Sequence, residues 1–253
     1  MYLLFDIGGT NLRVAVSDGN SLIKTKIVPT PKDFEHGIEA IKQLFPGEKI
    51  DKIAGGIAGP LNPEKSELIK SPHLSGWVNK PLKEKLREVF SADVLLENDS
   101  ALVGLGEAVG LNKKIVAYIG IGTGIGGVRI VNNKIDQNSL GFEPGHQIIE
   151  IDGKICNCGG RGHLEAYVGG AYVGRNADWD SVAKYLSVGL SNTIVHWSPD
   201  IVILGGSVLQ SISIEKVKSY LEKDLTIFPN VPQIVPSKLG NKGGLYGALS
   251  ILL

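Results

Sequence analysis

The 253-residue chain is 43% apolar and 21% charged, the balance of an ordinary soluble globular protein long enough to bury a sizeable core. Its 26 Lys and Arg match 26 Asp and Glu, so the formal net charge is zero, which argues against a broad nucleic-acid or anionic-membrane surface. No apolar run reaches the length of a membrane span and the opening MYLLFDIGG lacks the basic flank of a secretory leader, so a cytoplasmic chain with no nucleic-acid and no membrane partner is expected.

Residues 2–7 form an apolar run that reads as a buried strand, and Gly8-Gly9-Thr10-Asn11 as a turn. Residues 12–16 alternate in the manner of a second strand. A helix is predicted over 35–45, with Ile38, Ile41 and Phe45 on one face. Strands at 53–57 and 94–96 flank a helix at 81–90, which Pro81 would start from its first helical position. Asn98-Asp99-Ser100 opens a helix carrying Ala101, Leu102, Leu105 and Val109. A strongly apolar strand at 115–121 meets the turn Gly122-Thr123-Gly124-Ile125-Gly126-Gly127, and a strand at 128–131 follows. Further helices are expected at 180–197, capped by Asp180, and at 213–225, capped by Ser213, around a strand at 201–204 that ends in Gly205-Gly206. Residues 244–253 close the chain as a short helix.

The order repeats. Two ββ-αβα-like halves each open with a strand, a Gly/Thr turn and another strand, which predicts an internal duplication of architecture. The glycine turn at 122–127 also satisfies G-x-G-x-x-G, but a dinucleotide fingerprint requires a helix after the glycines, and here a β-branched strand follows. What remains are two hairpin turns whose backbone N–H groups and threonine hydroxyl could cradle phosphates, or could be ordinary glycine hairpins. Gly205 and Gly206, at the carboxyl end of a strand, are placed for an adenine or ribose contact, or for a plain strand-to-helix turn.

Two sets of polar residues carry chemistry. Asp99 stands at a helix start, where it could be a cap or, ionised by the helix dipole, accept a proton from a hydroxyl nucleophile. The two cysteines of the chain, Cys156 and Cys158, lie one residue apart between His146 and His163, a donor set for tetrahedral structural zinc, with Glu143 and Glu165 bracketing it. A metal-free loop held by packing is the alternative.

In chain order, Asp6-Ile7-Gly8-Gly9-Thr10-Asn11, Glu97-Asn98-Asp99, the glycine turn at 122–127, Glu143-Pro144-Gly145-His146, Cys156-Asn157-Cys158-Gly159-Gly160-Arg161-Gly162-His163-Leu164-Glu165 and Ile203-Leu204-Gly205-Gly206 resemble the ROK family of sugar kinases and repressors over nearly the whole chain. The resemblance implies an α/β, actin-like (ribonuclease H-like) duplicated fold of two lobes with a cleft between them. One lobe would span 1–110 with the last helix, 241–253, and the other 111–240. It implies an ATP-dependent hexose kinase, glucose foremost, with an N-acetylmannosamine or N-acetylglucosamine kinase or a sugar-binding regulator as alternatives. Asp99 would be the catalytic base. Asn98, Glu143, His146 and Glu165 would join it around the sugar. Asp6, Gly8, Gly9, Thr10, Asn11, Gly122, Thr123, Gly124, Gly205 and Gly206 would hold ATP and Mg²⁺, and His146, Cys156, Cys158 and His163 a structural Zn²⁺. Two departures stand out: His163 replaces a third cysteine, and the segment at 169–180 is short, which puts the usual homodimer contacts in doubt.

Overall fold

The computed structural model describes residues 1–71, 73–136 and 141–253. The chain divides into two compact units, Met1–Val109 with Asn241–Leu253, and Gly110–Gly240.

In the first unit β1 (Tyr2–Ile7), β2 (Asn11–Ser17) and β3 (Leu22–Pro29) form an antiparallel meander, and β4 (Lys52–Ile57) and β5 (Asp93–Asn98) add on in parallel, giving the order β3-β2-β1-β4-β5. The helices are α1 (Phe34–Leu44), α2 (Leu82–Phe90), α3 (Asp99–Ala108) and, from the far end of the chain, α7 (Gly243–Ser250), which packs on α3. The second unit repeats the scheme. β6 (Ile115–Ile121), β7 (Ile125–Val131) and β8 (Lys134–Ile135) are antiparallel, β9 (Ile201–Gly205) and β10 (Gln233–Pro236) are parallel to β6, and the order is β10-β9-β6-β7-β8. Its helices are α4 (Glu165–Val168), α5 (Trp179–Trp197) and α6 (Ile214–Asp224). The expected duplication is therefore present, with a third antiparallel strand in each half.

The physical origin of each sheet is legible in its burial. Leu3 to Ile7 and Ile53 to Ile57 are buried throughout because both faces of these central strands are covered. β3 escaped the sequence reading because it is an edge strand whose Lys24, Thr25 and Lys26 are exposed along with Ile23 and Ile27, so no buried face marks it. β10 lies between Pro232 and Pro236, residues that read as loop, and it too pairs on one side only.

Caps settle the helix starts. Asp178, rather than Asp180, caps α5, accepting from Asp180 N at 3.1 Å and Ser181 N at 3.3 Å, and Pro81 sits one position before α2. Ser213 caps α6 as expected. Among the described residues no helix is long and apolar enough to cross a membrane.

Each unit has its own core. In the first, Trp77 is fully buried, meets Phe34 edge-to-face at 5.6 Å, and donates from Nε1 to Pro31 O at 2.9 Å. Replacing a buried Trp by Ala leaves a cavity and costs about 3–5 kcal/mol. Trp77→Ala should lower the unfolding free energy by that amount, read as a lower urea midpoint with m unchanged, and an unmoved midpoint would show that this aromatic pair does not hold the unit.

Candidate functional site

In the first unit the candidate residues gather at the carboxyl ends of the parallel strands. The turn after β1 is closed by Gly8 N to Asn11 O at 3.0 Å and braced by Thr30, whose hydroxyl donates to Gly8 O at 2.6 Å and whose N–H donates to Thr10 O at 3.0 Å. Gly9 and Thr10 remain exposed at its tip. Asp6, 7% exposed, lies opposite Arg13 in the β1–β2 register and accepts from Arg13 Nη1 at 3.1 Å. The other arm of Arg13, Nη2, donates to Asn241 Oδ1 at 3.2 Å, tying the strand after this turn to the head of α7. Sequence reasoning missed Arg13. The signal was available, since a turn at residues 8–11 puts Asp6 and Arg13 face to face on neighbouring strands.

At the end of β5 the cap question resolves by one residue. Asn98 is the N-cap of α3, its Oδ1 accepting from Ala101 N at 3.1 Å while its Nδ2 donates to Gly59 O at 3.1 Å. Asp99 occupies the first helical position. Its Oδ1 accepts from Ser100 N at 2.7 Å, and among the described residues its Oδ2 has no hydrogen bond.

The dipole was expected to keep Asp99 ionised. Instead burial dominates: although the side chain reaches solvent in part, desolvation pushes its pKa above the usual carboxylate range, and the Ser100 bonds and the Arg13 charge only partly oppose it. Asp6 is raised to about 7, first by desolvation and then by the negative charge of Asp99, against the pull of Arg13.

In the second unit, Gly122, Thr123 and Gly124 form the corresponding turn, closed by Gly122 N to Gly124 O at 2.9 Å. Gly205 ends β9 and Gly206 follows at φ +92°. Glu143 is exposed, immediately before the short 3₁₀ turn Pro144–His146.

The segment from 146 to 163 folds back on itself through Ile149 N to Gly162 O (2.8 Å), Cys156 N to Gly160 O (2.8 Å) and Gly159 N to Cys156 O (2.8 Å). This brings one donor atom each of His146, Cys156, Cys158 and His163 within 4.8 Å of one another. His146 Nδ1 is 3.9 Å from Cys156 Sγ, and His163 Nδ1 is 3.2 Å from Cys158 Sγ. A tetrahedral ion with bonds of about 2.3 Å to sulfur and 2.0 Å to nitrogen separates its donors by about 3.3–3.8 Å, so the set fits zinc after small inward shifts.

Burial and the neighbouring His146 hold the His163 pKa below its ordinary value, favouring the neutral ring that binds metal. Gly160 is needed here, because a Cβ on it would lie 2.3 Å from the His163 ring. Glu165, at the start of α4, accepts from Ile125 N at 2.8 Å through Oε2, and the Cys156 thiol lies 3.8 Å from Oε1.

The duplicated sheets, each built on a hairpin with two parallel strands beside it, define an actin-like α/β fold. The match to known proteins agrees and goes further: the model of the ROK family covers residues 2–178 and 174–253, and the chain belongs to that family. The two pieces of the match meet within the short 169–180 segment. The chain is 27% identical to a glucokinase of Streptomyces coelicolor over 304 aligned positions, spanning 97% of this chain and 95% of that one. It is 28% identical over 298 positions to an N-acetyl-D-glucosamine kinase of Escherichia fergusonii, with 98% of each covered. Both alignments are longer than 253 residues, so they bridge segments that these relatives carry and this chain lacks. The crystal structure of a ROK hexokinase from Thermus thermophilus superposes with a TM-score of 0.87 at 26% identity, covering 98% of this chain and 97% of that one.

The raised pKa of Asp6 has a stability consequence. An unfolded Asp ionises near 4, so between about pH 4 and pH 7 the folded chain keeps a proton that the unfolded chain has lost. This group therefore removes stability as pH rises through that window, by up to about 1.4 kcal/mol per pH unit. In metal-free buffer, Asp6→Asn should gain stability over the parent progressively across the window. A pH-independent difference would mean that Asp6 titrates normally.

Proposed function

We propose that the chain is an ATP-dependent sugar kinase that moves the γ-phosphate of ATP to a hexose hydroxyl, with Asp99 as general base. The observation that carries this is the Asp99 carboxylate: it stands at a strand end, fixed on one oxygen by Ser100 N and left on the other for a substrate hydroxyl. A raised pKa suits a base, because it brings proton affinity toward working pH. Oδ2 would take the proton from the exocyclic 6-hydroxyl as that oxygen attacks phosphorus.

Phosphoryl transfer depends on positioning and charge stabilisation more than on covalent chemistry. In this reading the turns at 8–11 and 122–124 hold the phosphates, and Gly205 and Gly206 the nucleoside. Arg13 fixes the Asp6 carboxylate near the metal–nucleotide complex. Mg²⁺ bound with ATP would neutralise the charge of the β- and γ-oxygens. Asn98 keeps one amide hydrogen and one lone pair beyond its two bonds, enough to orient a ring hydroxyl. Glu143, His146 and Glu165 supply the remaining hydroxyl contacts.

Zinc would be structural in this scheme, with four protein donors and no open position. With Nδ1 of His146 facing Cys156, its Nε2 is the nitrogen left for the sugar. The relatives support the kinase reading. Glucose is the substrate we put first. An N-acetylhexosamine is the second, favoured by the equal likeness to an N-acetylglucosamine kinase.

Asp99→Asn should lower kcat by at least about a hundredfold while sugar binding persists, since a general base contributes about 10²–10⁴. Turnover near the parental rate would make Asp99 a helix-start residue only. Purified protein should hold about one zinc per chain, and Gly160→Ala, by displacing the His163 ring, should release it to a chelator faster. Protein purified without chelators that contains no zinc would leave the knuckle as a packed loop.

A further inference from the structure

One stretch of chain, from Glu165 to Tyr172, links the knuckle that carries Cys156 and Cys158 to the glycine turn at 122–124. At its start, Glu165 Oε2 accepts from Ile125 N at 2.8 Å, directly after the turn. Gly124 comes so near that a Cβ there would lie 2.5 Å from that oxygen. Past α4, Gly170 N donates to Gly122 O at 2.8 Å and Ala171 N to Thr123 O at 2.9 Å, so two carbonyls of the turn are held by consecutive amides. One residue on, the Tyr172 hydroxyl donates to Cys156 Sγ at 3.6 Å and accepts from Asn157 N, between the two cysteines, at 2.5 Å. There is little slack between these contacts. Gly169 N bonds Glu165 O at 2.8 Å, and Tyr172 N and Val173 N both bond Gly169 O, at 2.9 and 3.1 Å. The Tyr172 ring packs against the core of the unit.

We propose that Tyr172 is a positioning residue: through its hydroxyl on Cys156 and the amides beside it, the metal-bound knuckle sets the shape of the glycine turn at 122–124. The inference rests on the zinc reading above and extends it from the sugar contact of His146 to the turn assigned to phosphate. Its chemistry is that of a phenol on a thiolate. A metal-bound sulfur is anionic and accepts a stronger hydrogen bond than a thiol does, so the phenol is held in place when metal is bound and is looser when it is not. A shift of Cys156 then reaches Ala171 across a single residue, and Ala171 is bonded to the turn itself.

Full-length protein, zinc-loaded and zinc-stripped, is compared by amide hydrogen exchange at Ile125, Gly170 and Ala171. Stripping should speed exchange at these amides by about tenfold or more. In a parallel arm, Tyr172→Phe should weaken zinc about 10–100-fold in chelator competition, the usual cost of losing an outer hydrogen bond to a ligand. It should also shift the sulfur-to-metal charge-transfer band of the Co²⁺-substituted protein, a signature that packing alone would not move. Wild-type protein that binds neither Zn²⁺ nor Co²⁺ would overturn the metal reading and this inference with it. Wild-type protein that binds metal, but whose three amides exchange at the same rate loaded and stripped, overturns the role of Tyr172 and leaves the metal reading standing. The exchange arm needs no variant, so a Phe variant that failed to fold would not rescue the proposal.

Discussion

The structure depends on one pairing rule used twice. A central strand, β1 or β6, accepts an antiparallel hairpin partner on one side and a parallel strand on the other. The hairpin forces a tight glycine turn at the carboxyl end of the central strand, and the parallel strands bring their own carboxyl ends to the same edge of the sheet. Ligands of open α/β sheets bind at such an edge, where loops leave the strands and helix N-termini face outward. Asp6, Asn98 and Asp99 in one unit, and Gly122 to Gly124 with Gly205 and Gly206 in the other, lie where they do for this reason. The side chains are particular to this chain, but their placement follows from topology.

Each unit then balances charge in its own way. In the first, two carboxylates share a desolvated neighbourhood with one guanidinium, and desolvation is the larger influence on both. A site in that state gains from an incoming cation, which would restore the charge that burial penalises. In the second, the groups that could hold a metal are two thiols and two imidazoles. Two thiolates would neutralise a divalent ion, whereas a third cysteine in place of His163 would add a negative charge in the neighbourhood of Glu165. With zinc bound, the histidine would keep the knuckle neutral beside the carboxylate that holds Ile125 N.

Much of this was legible before any coordinates. The central strands announced themselves as apolar runs, broken only by Asp6 in β1, and the Cys and His spacing foretold a cluster that the fold does assemble. What stayed hidden has physical reasons. β3 buries neither face, so its alternation of Ile and Lys points to no core. The cap of α5 moved from Asp180 to Asp178 because acidic residues stand at both positions, and only backbone geometry chooses between them. Tyr172 gave no signal at all: its importance lies in a hydroxyl that meets Cys156 sixteen residues away in sequence, a contact that spacing cannot encode. At Asp99 the helix dipole can be read from sequence, while the desolvation that raises its pKa depends on tertiary packing.

The central claim is that this chain phosphorylates a sugar at the expense of ATP. Phosphorus NMR of the wild-type protein with Mg²⁺, ATP and a hexose tests it most directly. The account predicts a sugar 6-phosphate resonance growing in step with ADP, with glucose or an N-acetylhexosamine as acceptor. ATP that persists unchanged across glucose, mannose, N-acetylglucosamine and N-acetylmannosamine, or ADP that accumulates together with free phosphate and no sugar ester, would contradict it.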